Sequence, residues 1–354
     1  MSNHNTYAVI GATGVVGKEA ITILRDRGVP ASNIRALASE RSAGTTLHLA
    51  GDQYPVVAAQ SSSLRDVDIV LHCADAETSK RLSPIAASLG SLVVDNSSAY
   101  RLNDNVPLVV PEINADSIRS NHRIIANPNC STVLLLMALN ALRLPFGVRR
   151  IHVTTYQAVS GAGQGGIDEL RSQVQAAAAG LAASPHYFQE PCLGNVFSHD
   201  SAVDIDTGVN GEERKIIDES RKIWNDPDLE ITPTCVRVPV VRAHTLSIAV
   251  EFHEHAQEQQ VRNILHTAPG VHVIDDRASN RFPTPLKASG KDDVLVGRIR
   301  PDPSDQPTRD GAYKRWCLLA CGDQIRKGAA LNAVQIAEYA FRSARQKKVL
   351  STSV

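Results

Sequence analysis

The sequence predicts an α/β protein whose first domain is a doubly wound parallel sheet and whose second domain is of the α+β class. The apolar run Tyr7–Ile10 reads as a buried strand, and a glycine-rich turn and a helix follow it. Strand, glycine turn and helix in that order are typical of the opening of a dinucleotide-binding unit. Strands and helices then alternate along the first part of the chain, which requires parallel pairing with helices on both faces. We therefore expect a Rossmann-type sheet.

Composition limits the classes of function. The 354 residues carry 37 basic and 37 acidic side chains, so the formal net charge is zero. This balance argues against nucleic acid or an anionic membrane as the main partner. The first six residues are short and polar without a signal-peptide core, and no apolar run reaches about 18 residues. Six cysteines without an export signal suggest reduced thiols in the cytoplasm, and no Cys/His spacing is typical of a metal site.

The glycine turn runs from Gly11 to Gly17 with the spacing G-x-x-G-x-x-G. Gly11 and Gly14 would allow a tight turn in which a pyrophosphate approaches backbone N–H groups at the helix start, and Gly17 would let helix and strand pack closely. A tight packing turn without a ligand is the alternative interpretation. The candidate cofactor residues of this turn are Gly11, Thr13, Gly14, Val15, Val16 and Gly17.

The end of the second strand, 34–38, indicates which dinucleotide is bound. An NAD site usually holds the ribose there with an acidic side chain, whereas Ser39, Arg41 and Ser42 suit a 2′-phosphate. We therefore expect NADP. Glu40 does not fit this expectation. It either points to solvent or weakens the preference for NADP.

Hydrophobic periodicity supplies the remaining elements. Further strands are expected at 67–74, 92–95, 123–125, 151–159, 245–252, 271–275 and 315–320, and helices at 79–89, 167–181, 212–225, 258–267 and from Lys327 onward. Residues 184–210 read as an extended loop. Because the last helix could fold back onto the first domain, we expect one domain made of 1–132 with 327–354, and a second made of 133–326.

Cys130 is the candidate nucleophile. It follows the strand 123–125 in the turn Asn127-Pro128-Asn129, and an apolar helix begins behind it. Pro128 cannot continue a ladder, so the strand ends before it. A thiol at a helix N-terminus faces unpaired N–H groups and the positive end of the helix dipole, both of which favour thiolate. A cysteine that only packs is the alternative, but such cysteines usually lie inside apolar runs.

Three further side chains could surround an anionic substrate. Arg101 lies just beyond the strand 92–95 and is either an anion clamp or an ordinary surface arginine. Arg237 and His244 lie seven residues apart, so a straight strand would separate them by roughly 23 Å and point them to opposite faces. Pro239 lies between them and makes a straight central strand improbable. If the chain bends there, both can reach one site.

Taken together, these motifs resemble those of the aspartate-semialdehyde dehydrogenase family. The carrying stretches span nearly the whole chain in order: Gly11–Gly17, Asn127–Thr132, Tyr156–Gly161, Glu212–Lys215, Arg237–His244 and Arg326–Asn332. The resemblance implies reversible, phosphate-dependent and NADP-dependent conversion of L-aspartate 4-semialdehyde to L-4-aspartyl phosphate. It also implies use in lysine, threonine, methionine and diaminopimelate biosynthesis, and a homodimer or homotetramer whose second domain binds substrate and dimerises.

The resemblance further implies residue roles. Cys130 would form a hemithioacetal and then a thioester, His244 would be the general acid/base, and Gln157 would orient the carbonyl. Arg237 would bind the substrate carboxylate, and Glu212 its ammonium. The other implied contacts are with phosphate (Arg101, Lys215), with the substrate (Asn129) and with the nicotinamide (Ser160, Gly161, Asn332). The residue types suit the chemistry, because a thiolate adduct releases hydride readily, histidine titrates near neutrality and arginine forks carboxylates.

Other functions fit less well. An N-acetyl-γ-glutamyl-phosphate reductase would share the thiol and histidine but usually has Pro-Gly-Cys at the turn, and a glyceraldehyde-3-phosphate dehydrogenase does not explain the stretch Arg237–His244. A non-catalytic NADP-binding regulatory protein would not need the candidate nucleophile. The chain departs from the family at Ala74–Glu77, where the family usually has a Gly-Gly pair.

Overall fold

The computed structural model describes residues 5–351, with side chains described up to residue 342. The chain divides into two compact units, one that runs to Asn129 and resumes at Ala329, and one that spans Cys130–Gly328. Among the described residues, no helix combines the length and apolar character needed to cross a bilayer.

The first unit is built on a sheet with the strand order β3-β4-β2-β1-β5-β6-β7. Its strands are β1 (Tyr7–Ile10), β2 (Ile34–Ala38), β3 (Thr46–Leu49), β4 (Asp52–Ala58), β5 (Ile69–His72), β6 (Leu92–Asp95) and β7 (Ile124–Ala126). All neighbours pair in parallel except β3 and β4. The order reverses between β1 and β5, which is the switch point where ligands bind in such sheets.

Helices cover both faces of this sheet. They are α1 (Val15–Asp26), α2 (Ala76–Ser88), the short α3 (Pro111–Asn114) and the C-terminal helix α9 (Leu331–Ser351). Tyr7 and Val9 of β1 pack with α1 and the C-terminal helix, whereas Ala8 and Ile10 pack with α2. This alternation confirms the predicted doubly wound fold.

The second unit contains a mixed sheet with the order β12-β13-β14-β11-β8-β10-β9. Its strands are β8 (Val148–Gln157), β9 (Phe197–Ser198), β10 (Glu230–Arg237), β11 (His244–Ala256), β12 (Val271–Val273), β13 (Val294–Pro301) and β14 (Tyr313–Gly322). Its helices are α4 (Cys130–Phe146), α5 (Gln164–Ala178), α6 (Gly211–Trp224), α7 (Glu258–Thr267) and α8 (Pro285–Ala288). Helices α4, α6 and α7 pack on the sheet, which confirms an α+β unit.

Several boundaries differ from the prediction. The hairpin β3–β4 and the strands β10 and β13 were not predicted. Residues 197–198 inside the predicted loop pair with β10 as a short strand. The last helix was expected from Lys327, but Arg326–Ala330 forms a π-helical turn and the α-helix begins at Leu331. A Cβ on Gly328 would lie 2.8 Å from Cys130 Cβ, so the wider turn accompanies a close approach to the thiol-bearing residue.

Candidate active site

The glycine turn of the first unit is tight for a measurable reason. Gly11 has φ +82°, and a Cβ there would lie 2.7 Å from the Cys73 carbonyl oxygen. A Cβ on Gly17 would lie 2.1 Å from the Gly11 carbonyl oxygen. Side chains at these positions are therefore excluded. The N–H groups of Gly11 and Ala12 donate to the Leu37 carbonyl and that of Gly14 to the Gly11 carbonyl, which holds the turn directly ahead of α1.

The two stretches that left the cofactor uncertain have defined structures. Ser39, Glu40 and Arg41 are exposed in a short turn after β2, and Ser42 is half-buried. In the segment that departs from the family pattern, Asp75 caps α2 by accepting a hydrogen bond from the Thr78 N–H at 2.8 Å. The segment without the glycine pair therefore still leads into a regular helix.

The turn before Cys130 is held by a buried polar network centred on Asn127. Arg101 donates from Nε to the Asn127 carbonyl at 2.9 Å and from Nη2 to the Asn96 carbonyl at 2.7 Å. Asn332 donates to Asn127 Oδ1 and to the Val109 carbonyl. Arg101 is 8% exposed, so the alternative that it is an ordinary surface arginine is wrong.

Cys130 is the first residue of α4, as the turn chemistry predicted, and it is half-buried. Its Sγ lies 3.5 Å from Nε2 of His244, which begins β11. The Ala158 N–H donates to Nδ1 of the same ring at 3.0 Å. In the neutral ring the proton is then on Nε2 and points at the sulfur. The pKa of His244 is lowered to about 3, mainly because the ring is buried and secondly because of the positive charge of Arg237.

The chain bends between Arg237 and His244, which is the condition under which both side chains can reach one site. β10 ends at Arg237, and Ala243 adopts φ +74° immediately before His244. Both side chains reach the same backbone unit, because Arg237 Nη1 donates to the Ala158 carbonyl at 3.0 Å while His244 accepts from the Ala158 N–H. A Cβ on Gly161 would lie 3.2 Å from the His244 ring and 3.5 Å from Arg237 Nη1, so this predicted loop residue adjoins both.

Gln157, Glu212 and Lys215 form a second group. Gln157 Nε2 donates to Ser131 Oγ at 2.7 Å and to Glu212 Oε1 at 3.1 Å. The other oxygen of Glu212 pairs with Lys215 Nζ at 3.1 Å, so these two residues, three apart in α6, share a helix face. Ser131 was not singled out from the sequence, although it directly follows the nucleophile.

Arg237 differs from the open carboxylate fork that the sequence suggested. Its Nη2 contacts Asp200 Oδ1 at 2.6 Å and His199 Nε2 at 3.0 Å. Burial opposes ionisation of Asp200, but the ion pair with Arg237 holds the pKa of that carboxyl below its usual range. Sequence reasoning missed His199 and Asp200 because they lie in the segment assigned to an extended loop.

Ser160 and its neighbours are fixed by Gln324, another residue that sequence reasoning missed. Gln324 donates to Ser160 Oγ at 2.5 Å and accepts from the Ala243 N–H at 2.8 Å. One side chain thereby links the predicted nicotinamide loop to the residue before His244. Within the described part of the chain, no group of His, Cys, Asp and Glu side chains is arranged to hold a metal ion.

Comparison with known proteins decides the family. The family model described as "semialdehyde dehydrogenase, NAD binding domain" matches residues 6–121. The model described as "semialdehyde dehydrogenase, dimerisation domain" matches residues 139–327. The aspartate-semialdehyde dehydrogenase of Prochlorococcus marinus is 43% identical over 333 residues, which cover 94% of this chain and 95% of that protein. The chain belongs to the aspartate-semialdehyde dehydrogenase family. It is therefore a member of an oxidoreductase family, as the motifs predicted.

Other members of the family agree in sequence and structure. The aspartate-semialdehyde dehydrogenase of Bacillus subtilis is 39% identical and covers 94% of this chain and 96% of its own length. The crystal structure of aspartate semialdehyde dehydrogenase II from Vibrio cholerae complexed with ASA superposes with a TM-score of 0.89 at 39% identity. The match covers 96% of this chain and 98% of that one. The family assignment thus rests on nearly full-length matches.

Proposed function

We propose that this chain is an NADP-dependent aspartate-semialdehyde dehydrogenase that oxidises and phosphorylates L-aspartate 4-semialdehyde to L-4-aspartyl phosphate. The observation that carries the proposal is the pairing of the Cys130 sulfur with His244 Nε2 at 3.5 Å. The proposal includes the reverse, reductive direction in the biosynthesis of lysine, threonine, methionine and diaminopimelate. Full-length similarity to proteins of that name supports it.

The thiolate of Cys130 would attack the aldehyde carbon, and the carbonyl electron pair would move to oxygen. His244 Nε2–H is placed to donate first to the sulfur and then to that oxygen, while Ala158 keeps the ring in this tautomer. NADP⁺, when bound, accepts the hydride from the adduct. As the hydride leaves, the alkoxide held by the His244 N–H would re-form its carbonyl and give a thioester. Phosphate would then attack that carbon, and the Cys130 thiolate would leave.

The remaining residues would bind and orient. Glu212 would take the substrate ammonium and Arg237 its carboxylate, since both are buried charged groups whose charges act on His244 in the second unit. Gln157 is held by Ser131 and Glu212 and would orient the carbonyl. We assign phosphate binding to Arg101 and Lys215 and substrate binding to Asn129. Ser160, Gly161 and Asn332 would contact the nicotinamide.

The residues of the first unit fit NADP. Gly11 and Gly17 admit no side chain, because each packs against a backbone carbonyl. The tight turn leads straight into α1, where a pyrophosphate could approach the N–H groups of the helix start. Exposed Arg41 and Ser39 follow β2, where a 2′-phosphate would lie. We therefore propose that residues 1–132 with 327–354 bind NADP and that 133–326 bind substrate and dimerise. We propose that the protein works in the cytoplasm, and the six cysteines, all free thiols in the described structure, support this.

A turnover assay tests the proposal. Purified protein is mixed with L-aspartate 4-semialdehyde, phosphate and NADP⁺, and NADPH is followed by absorbance. We expect phosphate-dependent turnover in the wild type and none in Cys130→Ser, whereas binding of NADP⁺ to that variant, measured by calorimetry, is retained. Turnover of N-acetyl-glutamate semialdehyde instead, or wild-type turnover in Cys130→Ser, would contradict the assignment.

A further inference from the structure

Arg237 is a buried cation whose hydrogen-bonding capacity is mostly in use. It is 1% exposed, and its guanidinium lies 5.3 Å from the centre of the Phe188 ring. Nη1 donates to the Ala158 carbonyl, and both hydrogens of Nη2 are directed at Asp200 and His199. A buried guanidinium needs a counter-charge, and within the described chain Asp200 provides it.

The donors that remain cannot bind a carboxylate by two bonds. A carboxylate forks a guanidinium either along the edge formed by Nε and Nη2 or along the end formed by Nη1 and Nη2. Each geometry requires a hydrogen of Nη2. Nε is buried and has no hydrogen-bond partner among the described residues, so the Nε/Nη2 edge of Arg237 is half vacant. A substrate carboxylate can complete this edge only if Asp200 or His199 releases Nη2.

Asp200 is better placed than His199 to leave. Residues 197–198 pair with β10, and the His199 N–H donates to the Cys235 carbonyl, so the chain is anchored up to His199. The Asp200 side chain follows this anchored strand and is 28% exposed, against 12% for His199. It can therefore turn toward solvent without movement of the strand.

We propose that Asp200 is a specificity-determining residue that serves as the resting counter-ion of Arg237 and competes with the carboxylate of the incoming substrate. The inference rests on the proposed function. It makes carboxylate affinity a balance between an internal and an external anion at the same guanidinium. The charge of Asp200 thereby weakens the binding of every substrate that presents a carboxylate there, and leaves aldehydes without a carboxylate unaffected.

The test replaces Asp200 by asparagine, which keeps an acceptor for Arg237 and removes the charge. We expect the KM for L-aspartate 4-semialdehyde to fall about two- to fivefold, the size of a charge contact that solvent partly screens. kcat should stay within about twofold, because the substrate carboxylate contacts Arg237 equally in the bound substrate and in the transition state. The KM for propanal, which has no carboxylate, should not change.

Asp206→Asn is the matched control, since it removes the same charge from an exposed position of the same segment. An unchanged or raised KM for the semialdehyde in Asp200→Asn would overturn the proposal, because it would mean that Asp200 only positions Arg237. An equal fall for propanal would overturn it as well.

Binding of L-2-aminobutyrate, an unreactive analogue, is measured by calorimetry in the wild type and in Asp200→Asn. We expect tighter binding by the variant, and equal or weaker binding would contradict the inference. This arm does not depend on turnover. If the wild type fails to oxidise the semialdehyde, the proposed function is wrong, while this comparison still decides the role of Asp200.

Discussion

Replacing His244 by alanine should make the thiol of Cys130 harder to ionise. In the structure the Nε2–H of His244 points at Sγ over 3.5 Å, and the Ala158 N–H fixes the ring from the other side. A hydrogen bond to a charged group is worth about 1.5–3 kcal/mol. Since one pH unit corresponds to about 1.4 kcal/mol, the midpoint of thiolate formation should rise by about 1–2 units in His244→Ala.

The assay is the pH dependence of alkylation by iodoacetamide. Burial raises the pKa of Cys73 and Cys235 to about 12 and that of Cys321 to about 11, so these thiols do not compete below pH 9. Cys130→Ser identifies the reactive thiol by its absence.

The exposed His152 provides a matched control, because His152→Ala removes an imidazole that does not face the sulfur. His244→Gln, whose amide can donate near the position of Nε2, should give a smaller shift than alanine. An alkylation midpoint in His244→Ala equal to that of the wild type would refute the reasoning.

Three further predictions concern the support of the site. Gly328→Ala places a Cβ 2.8 Å from Cys130 Cβ, which should displace the thiol. We expect the rates of alkylation and of turnover to fall roughly tenfold or more while NADP⁺ affinity is retained. Rates equal to those of the wild type would contradict the close approach. His244 has a pKa of about 3 against an ordinary 6.5, so the unfolded chain binds its proton first as the pH falls. Stability should therefore drop from pH 6.5 toward pH 3, by about 2 kcal/mol at pH 5 in urea unfolding, and this part of the loss should be absent in His244→Gln. Glu169→Ala leaves the N–H groups of His186 and Tyr187 without their buried acceptor, and we expect a loss of about 2–4 kcal/mol that Asp168→Ala, at an exposed position, does not show.

The anchoring by Glu169 shows where sequence reasoning reached its limit. Residues 184–210 lack periodicity and are rich in Pro, Gly, Asn and Asp, which predicts a loop but not its path. In the structure Glu169 accepts from His186 and Tyr187, and Gln173 accepts from Cys192 and Leu193. These contacts join residues far apart in sequence, and no local pattern encodes them.

The strands that were missed have a similar explanation. β10 contains Pro233, which argues against a paired strand, and β13 contains Gly297 followed by Arg-Ile-Arg-Pro, so the local preference for a strand is weak in both. Their pairing partners, β8 and β14, supply the order that the local sequence does not. Tertiary pairing therefore overrides weak local preference in the second unit.

The sequence by itself determined the doubly wound sheet, the glycine turn and the position of Cys130 at a helix start. Each of these depends on the spacing of a few neighbouring residues, because turn chemistry and hydrophobic periodicity act over short distances. Only the tertiary structure decided that His244 faces the sulfur through a tautomer fixed by Ala158, and that Arg237 is already paired with Asp200. Such contacts depend on how separate strands align, and that alignment is set by packing of the whole second unit.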